Sequence, residues 1–188
     1  DDPRSVIFTR NTTESINLVA YSWARQNLSA GDLVVLTEME HHSNLVPWYL
    51  MVEEIGIELA FVPVSEDGLL DLEVYRQLLE RAPKLVSFMH MSNVLGTINP
   101  AKEMIAQAHD AGATVLVDGA QSVPHMRVDM QALDADFYAF SSHKMLGPTG
   151  LGVLYGKTAL LDAMPPFLGG GDMIKRVTFE KTTFQDPP

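Results

Sequence analysis

The 188-residue chain is 46% hydrophobic and 20% charged, the balance of an ordinary globular protein large enough for a sizeable core. Its net charge of −11 comes from 13 basic and 24 acidic residues, and no Lys/Arg-rich run is present, which argues against a nucleic-acid or membrane-surface partner. These residues include no cysteine and therefore no disulfide and no thiol nucleophile, which fits a reducing compartment such as the cytoplasm.

Seven apolar runs of strand length follow one another along the chain. Most are continuous rather than alternating, as expected for strands that are buried on both faces. The runs are "SVIFT" (5–9), "LVVLT" (33–37), "IELAFVPV" (57–64), "LVSFMH" (85–90), "TVLVD" (114–118), "DFYAF" (136–140) and "LGVLYG" (151–156).

Helical patterns separate several of these runs. In "TESINLVAYSWARQNL" (13–28) apolar residues recur at helical spacing, and "LEVYRQLLER" (72–81) and "PAKEMIAQAHDAG" (100–112) behave in the same way. This alternation predicts an α/β fold, a mostly parallel sheet with helices on both faces. In such folds ligands bind beyond the carboxyl ends of the strands.

The periodic pattern ends near residue 165. We therefore expect residues 1–165 to form the body of one domain and residues 166–188 to form a loop-rich extension, with a turn at Gly169–Gly171. The chain opens with Asp1, without an initiator methionine, and we expect it to be a piece of a longer protein.

Polar groups follow several of the predicted strands. Asn11 stands at a capping-box spacing from Glu14, and Thr12 and Thr13 fall in the first helical turn, where free N–H groups and hydroxyls can hold a phosphate. Simple helix capping is the commoner reason for such a pattern. His41 and His42 follow the second strand without any metal-ligand spacing, so a capping or core role is the usual explanation for them.

Asp118 ends the buried strand "TVLVD", with Gln121 and Ser122 just after it. A carboxylate in that position is unfavourable unless it meets a cation or hydrogen-bond donors. It either caps the following turn or faces a protonated ring nitrogen.

The stretch "DFYAFSSHKMLGPTGLGVLYG" (136–156) places Lys144 between a strand and a loop rich in glycine and proline. Two glycine-rich patterns in this region fail as nucleotide motifs. "GLGVLYGKT" has Leu151 where a P-loop requires glycine, and "GPTGLG" has Thr149 where the dinucleotide motif requires its second glycine. A lysine, an aspartate 26 residues earlier, a histidine able to stack and a phosphate cradle are instead the parts needed to bind pyridoxal phosphate (PLP).

These stretches resemble the class V aminotransferase family of fold-type I PLP enzymes, and most closely its SUF-type (group II) cysteine desulfurases and selenocysteine lyases. The resemblance spans nearly the whole chain and implies the central part of an incomplete PLP-binding large domain. The matching stretches are "FTRNTTESINLVA", "EMEHHSNLVPW", "HMSNVLGTINP", "VLVDGAQSVPH", "DFYAFSSHKMLGPTGLGVLYG" and "PPFLGGGDMI".

The resemblance implies a role for each matching position. Lys144 would form the Schiff base with PLP, and Asp118 would pair with the pyridine nitrogen. Gln121 would bind the phenolic oxygen, and Asn93 would lie near that oxygen and the substrate carboxylate. His41 would stack on the ring and take part in proton transfer. The phosphate would be bound by Thr13, Ser141 and His143 with help from Thr12. No metal is implied.

The resemblance also implies a reaction. L-cysteine would be converted to L-alanine, with the sulfur passed to an enzyme cysteine outside these residues and on to a sulfur-acceptor protein for iron–sulfur cluster assembly. The enzyme would be a homodimer, and this chain alone would be inactive because the persulfide-forming cysteine comes later in that family. A selenocysteine lyase or another class V PLP enzyme is the alternative, and a non-catalytic interaction domain is a remote one.

Overall fold

The computed structural model describes residues 2–185, and nine strands are present in that range. They are β1 (Val6–Thr9), β2 (Leu33–Thr37), β3 (Glu58–Val62), β4 (Leu85–Met89), β5 (Thr114–Asp118), β6 (Phe137–Ser141), β7 (Gly152–Gly156), β8 (Ile174–Val177) and β9 (Thr182–Phe184). All seven apolar runs of the sequence are strands, with bounds that differ by at most two residues at an end.

Eight α-helical segments are found in the same described residues. They are α1 (Thr12–Leu18), α2 (Arg25–Asn27), α3 (Val46–Ile55), α4 (Leu72–Leu79), α5 (Ala101–Asp110), α6 (Ser122–His125), α7 (Met130–Leu133) and α8 (Thr158–Ala163). A π-helical segment, Val19–Ala24, joins α1 to α2, and short 3-10 helices occupy Pro3–Ser5, His42–Asn44 and Ser142–Lys144.

The main sheet has seven strands in the spatial order β1-β7-β6-β5-β4-β2-β3. The five strands from β3 to β6 in this order are parallel, whereas β7 pairs antiparallel with both β6 and β1. The predicted mostly parallel sheet is therefore confirmed. Because the carboxyl ends of the parallel strands lie at one edge, the segments that follow β2, β4, β5 and β6 meet there.

Helices cover both faces of this sheet, as predicted. On one face α4 and α5 contribute Tyr75, Met104 and Ile105 to an apolar core, and on the other α1, α3 and α8 contribute Ile16, Trp48 and Leu161. Strands β2 and β4 lie between the two cores and are buried along their whole length, which explains their continuous rather than alternating apolar runs.

Helices α3, α6, α7 and α8 and strands β8 and β9 depart from the sequence-based prediction. Helix α3 was not predicted; it starts with Pro47 in its first turn and ends at Gly56, which has the left-handed φ of 85°. Within the predicted loop-rich extension, β8 and β9 form a separate two-stranded antiparallel sheet. The domain boundary near residue 165 stays a prediction, and the end of the extension, 186–188, lies outside the described residues.

The P-loop-like stretch is a regular strand, β7, followed by Lys157, whose Nζ lies 2.8 Å from Asp134 Oδ1 and 2.9 Å from Asp136 Oδ1. Lys157 therefore forms ion pairs with two aspartates. Across residues 2–185, no helix has the length and apolar character needed to cross a membrane.

Candidate functional site

A pocket of about 240 Å³ opens at the carboxyl edge of the sheet, where β4, β5 and β6 end and α1 begins. All nine residues to which the sequence assigns a site role line it. They are Thr12, Thr13, His41, Asn93, Asp118, Gln121, Ser141, His143 and Lys144. Their convergence is a structural finding, and the role of each toward a cofactor stays a prediction. Five further lining residues are Asn11, Ser43, Met89, Met91 and Ala120.

The start of α1 forms one wall of the pocket. Asn11 caps the helix, since its Oδ1 accepts a hydrogen bond from Glu14 N at 2.9 Å. Thr12 N donates to Ser141 Oγ at 2.8 Å, and the two hydroxyl oxygens are 2.6 Å apart. The capping explanation is therefore correct for Asn11, while Thr12 and Thr13 still present the first turn to the pocket. A Cβ on Gly152 would lie 2.5 Å from Asn11 Cα, so this close approach of β7 to the helix start requires glycine.

Asp118 lies at the end of β5 and is only 4% exposed. Its Oδ1 accepts a hydrogen bond from Ala120 N at 2.9 Å, and no described residue donates to Oδ2. Burial raises the pKa of the Asp118 carboxyl, and the Ala120 N–H and the charges of Lys144 and His41 oppose this rise. Asp118 thus caps its turn with one oxygen and leaves the other for a donor inside the pocket.

The turn after Asp118 rests on Tyr138. A Cβ on Gly119 would lie 1.9 Å from Tyr138 Cε1, so only glycine fits between the turn and the ring. The Tyr138 hydroxyl lies 2.5 Å from Ser122 Oγ and 3.0 Å from His90 Nδ1. His90 follows β4, but its ring binds Tyr138 beneath the turn and does not line the pocket.

His41 lies at the mouth of the pocket with an exposed side chain. Its Nδ1 accepts a hydrogen bond from Ser43 N at 3.1 Å, which caps the following 3-10 helix and orients the ring. Because Nδ1 accepts this hydrogen bond, Nε2 is the ring nitrogen that carries a proton. The expected capping role is therefore real, and it is compatible with a second role in the pocket.

Lys144 ends the 3-10 helix Ser142–Lys144 directly after β6, and its side chain is half-buried. Burial raises the pKa of the Asp118 carboxyl, and the positive charge of the Lys144 amine opposes that rise from within the same pocket. The loop that follows is tied back to the helix, because Ser142 Oγ donates to Pro148 O and Gly147 N donates to Ser142 O at 2.9 Å. The backbone therefore aims the lysine at the pocket.

Glu40 is a buried acidic residue beside the pocket that the sequence reasoning missed. It precedes His41, is 7% exposed, and burial raises its pKa to about 8. The available signal was weak, because Glu40 is one of two acidic residues in the polar segment "TEMEHH" (37–42) after a buried strand, and its hydrogen-bond partners could not be read from the sequence.

The comparisons with known proteins agree with this geometry. The profile of the family described as Aminotransferase class-V matches residues 1–188. A cysteine desulfurase of Haloferax volcanii is 52% identical over 97% of this chain and 43% of that protein. The cysteine desulfurase CsdA of Escherichia coli has a crystal structure that superposes with a TM-score of 0.95 at 44% identity, covering 100% of this chain and 47% of that one.

A third similar structure shows a bound cofactor. It is the C-DES mutant K223A with glycine covalently linked to its PLP cofactor, which superposes with a TM-score of 0.85 at 27% identity over 99% of this chain and 50% of that one. This chain thus spans about half the length of the relatives it matches. The match over its whole length, together with the similarity in sequence and fold, shows that the chain belongs to the aminotransferase class-V family.

Proposed function

We propose that this chain is the cofactor-binding part of a PLP-dependent cysteine desulfurase. The observation that carries the proposal is the meeting of the Lys144 amine, the buried Asp118 carboxylate and the start of α1 in one pocket. Relatives named cysteine desulfurase share this sequence over almost its full length, which supports the same assignment.

The pocket fits the chemistry of PLP at both ends. The Asp118 Oδ2 atom, which receives no hydrogen bond from the described residues, suits a protonated pyridine nitrogen. At the opposite end the phosphate would meet the hydroxyls of Thr12, Thr13 and Ser141, the first turn of the helical segment and His143. Gln121 and Asn93 would serve the phenolic oxygen and the substrate carboxylate, and His41 would cover the ring.

PLP, when bound, supplies an electron sink that allows bonds at the substrate α-carbon to break. The residues of this chain supply the remaining functions. Lys144 Nζ would hold the cofactor covalently and, once released by substrate, take the α-proton. Asp118 would keep the ring nitrogen protonated through a buried charge pair. His41, oriented by Ser43 N, would carry a proton on Nε2 at the mouth of the pocket.

The sulfur-accepting group lies outside these residues, because the chain has no cysteine. In the whole protein, a cysteine thiolate in the part that the relatives have beyond this region would attack the substrate sulfur, forming the S–S bond of a persulfide as the substrate Cβ–S bond breaks, and protons would be returned to the carbon skeleton. L-alanine would be released, and the persulfide sulfur would pass to an acceptor protein for iron–sulfur cluster assembly. We further propose that the whole protein is a homodimer in the cytoplasm.

The proposal is tested with the full-length protein, PLP, a reductant and either L-cysteine or L-selenocysteine. Alanine and sulfide should form from L-cysteine at rates well above those of free PLP. A polypeptide of residues 1–188 is the matched control and should give only the free-cofactor rate, since no thiol is present to take the sulfur. Alanine formation from L-selenocysteine alone would replace the proposal with a selenocysteine lyase, and alanine from neither substrate would reject both.

A further inference from the structure

Glu40 is a buried carboxylic acid with no cationic partner among the described residues. It is 7% exposed and takes part in none of the ion pairs found between residues 2 and 185. An acidic side chain is seldom buried in this way unless donors replace the lost water. Its hydrogen bonds therefore indicate what the residue does.

Three donors surround the Glu40 carboxylate, and each comes from a different element. Oε1 accepts from Thr37 Oγ1 at 2.6 Å, at the end of β2, and from Met89 N at 2.9 Å, at the end of β4. Oε2 accepts from Asn44 Nδ2 at 2.7 Å, in the 3-10 helix after His41. One side chain thus joins two strand ends and the turn that carries His41.

The donors that contact the Asn44 amide oxygen determine that Asn44 donates to Glu40. Asn44 is fully buried, and its Oδ1 accepts from Trp48 Nε1 at 3.1 Å and from Ser87 Oγ at 2.7 Å. Because an indole N–H can only donate, Asn44 must present its oxygen to Trp48 and its amide N–H to Glu40. An acceptor is therefore required at the position of Glu40 Oε2.

The same network reaches the pocket through two routes. Glu40 precedes His41 in the chain, and it also binds the backbone of Met89, which lies opposite Asp118 in the sheet register. The next residue, His90, donates its N–H to Asp118 O at 2.9 Å. Glu40 does not line the pocket itself, so any effect on a bound cofactor passes through these neighbours.

We infer that Glu40 is a positioning residue that fixes His41 against the end of β4, beside the strand end that carries Asp118, and so sets how the PLP ring is held between His41 and Asp118. The inference rests on the proposed function, because it concerns PLP in the pocket. A purely structural role would change stability alone, whereas a positioning role changes the environment of the cofactor in the folded protein.

The test compares Glu40→Gln with the double variant Glu40→Gln/Asn44→Asp in the full-length protein. The single change places a second amide N–H group against Asn44 Nδ2, whereas the double change restores a donor–acceptor pair and leaves an oxygen for Trp48 and Ser87. PLP affinity is measured by titration of the cofactor-free protein, and ring orientation by the visible circular dichroism of the bound cofactor. Both are recorded at about pH 9, above the pKa of Glu40.

We expect Glu40→Gln to weaken PLP binding about tenfold and to change the visible circular dichroism, because one buried hydrogen bond to a charged group is lost. The double variant should recover most of both. Glu38→Gln is the matched control: Glu38 lies two residues earlier, is exposed and binds Val64 N at 3.1 Å, so wild-type values are expected.

Wild-type PLP affinity and circular dichroism in Glu40→Gln would overturn the inference, even if the variant melted at a lower temperature. Failure of the double variant to recover either property would do the same. If Glu40→Gln does not fold, Thr37→Val removes one donor to Glu40 and should change both readouts in the same direction by a smaller amount; no change would overturn the inference. A wild-type protein that binds no PLP would instead reject the proposed function, and this inference with it.

Discussion

Thr12 and Ser141 are hydrogen-bonded across 129 residues of sequence, with Thr12 N donating to Ser141 Oγ at 2.8 Å. The contact joins the start of α1 to the end of β6, the two segments that would hold the phosphate of PLP. Both residues are buried, at 5% and 3% exposure. The helix start is therefore held in place before any ligand arrives, which reduces the ordering that binding requires.

Ser141→Ala in the full-length protein should weaken PLP binding about tenfold, because a phosphate donor and the contact that holds Thr12 are lost together. The measurement is a titration of the cofactor-free variant followed by visible absorption. Ser65→Ala, which removes a serine hydroxyl from a turn far from the pocket, should bind like the wild type. Equal affinity in the two variants would contradict the phosphate assignment.

Asp118→Ala should keep part of the cofactor but lose most turnover, because covalent attachment depends on Lys144 while the electron sink depends on the carboxylate. Asp118→Asn is the sharper variant, since its side-chain oxygen can still accept from Ala120 N while the charge is removed. Both variants should show lower kcat under PLP saturation. Wild-type turnover in Asp118→Asn would exclude a charge pair with the ring nitrogen.

Glu40 gives a stability prediction with a definite sign. Burial raises its pKa from the ordinary 4.5 to about 8, so the folded state holds this proton more tightly than the unfolded state. Between these two pH values the contribution of Glu40 to the free energy of unfolding must fall as the pH rises.

Glu40→Gln removes this titration. The free energy of unfolding of the wild type minus that of Glu40→Gln should therefore decrease between about pH 5 and about pH 8, as measured by urea denaturation of the cofactor-free proteins. The subtraction removes the contributions of groups that do not interact with Glu40, whereas the Asp118 charge, which adds to the effect of burial on the Glu40 pKa, is part of the measured difference. A difference that stays constant or increases with pH would contradict the raised pKa.

Gly119→Ala should destabilise the fold by about 1–3 kcal/mol, because the added Cβ overlaps the Tyr138 ring and must displace it. Gly169→Ala is the matched control, since no atom lies within 4 Å of the Cβ it would add. Thermal melts of the two variants measure the effect. Equal melting temperatures would show that the ring can move without loss.

The sequence predicted the site residues at strand ends, but it did not predict the buried residues that hydrogen-bond to the neighbouring segments. Asp118 ends one apolar strand and Lys144 comes three residues after another, so their position at one edge follows from the parallel sheet. The role of Glu40 depends on Met89, 49 residues further on, and this pairing is decided by the sheet register. The hairpin of β8 and β9 was not predicted because its strands are short and mostly exposed, so no continuous apolar pattern marks them in the sequence.

The central claim is that Lys144 holds PLP, and borohydride trapping tests it most directly. Reduction of the PLP-loaded full-length protein converts a lysine Schiff base into a stable bond, and mass spectrometry of its peptides then locates the modified residue. We predict modification at Lys144, and none there in Lys144→Ala, whereas Lys102→Ala, which changes an exposed lysine away from the pocket, should retain it. Modification of another lysine such as Lys157, or of none, would contradict the account.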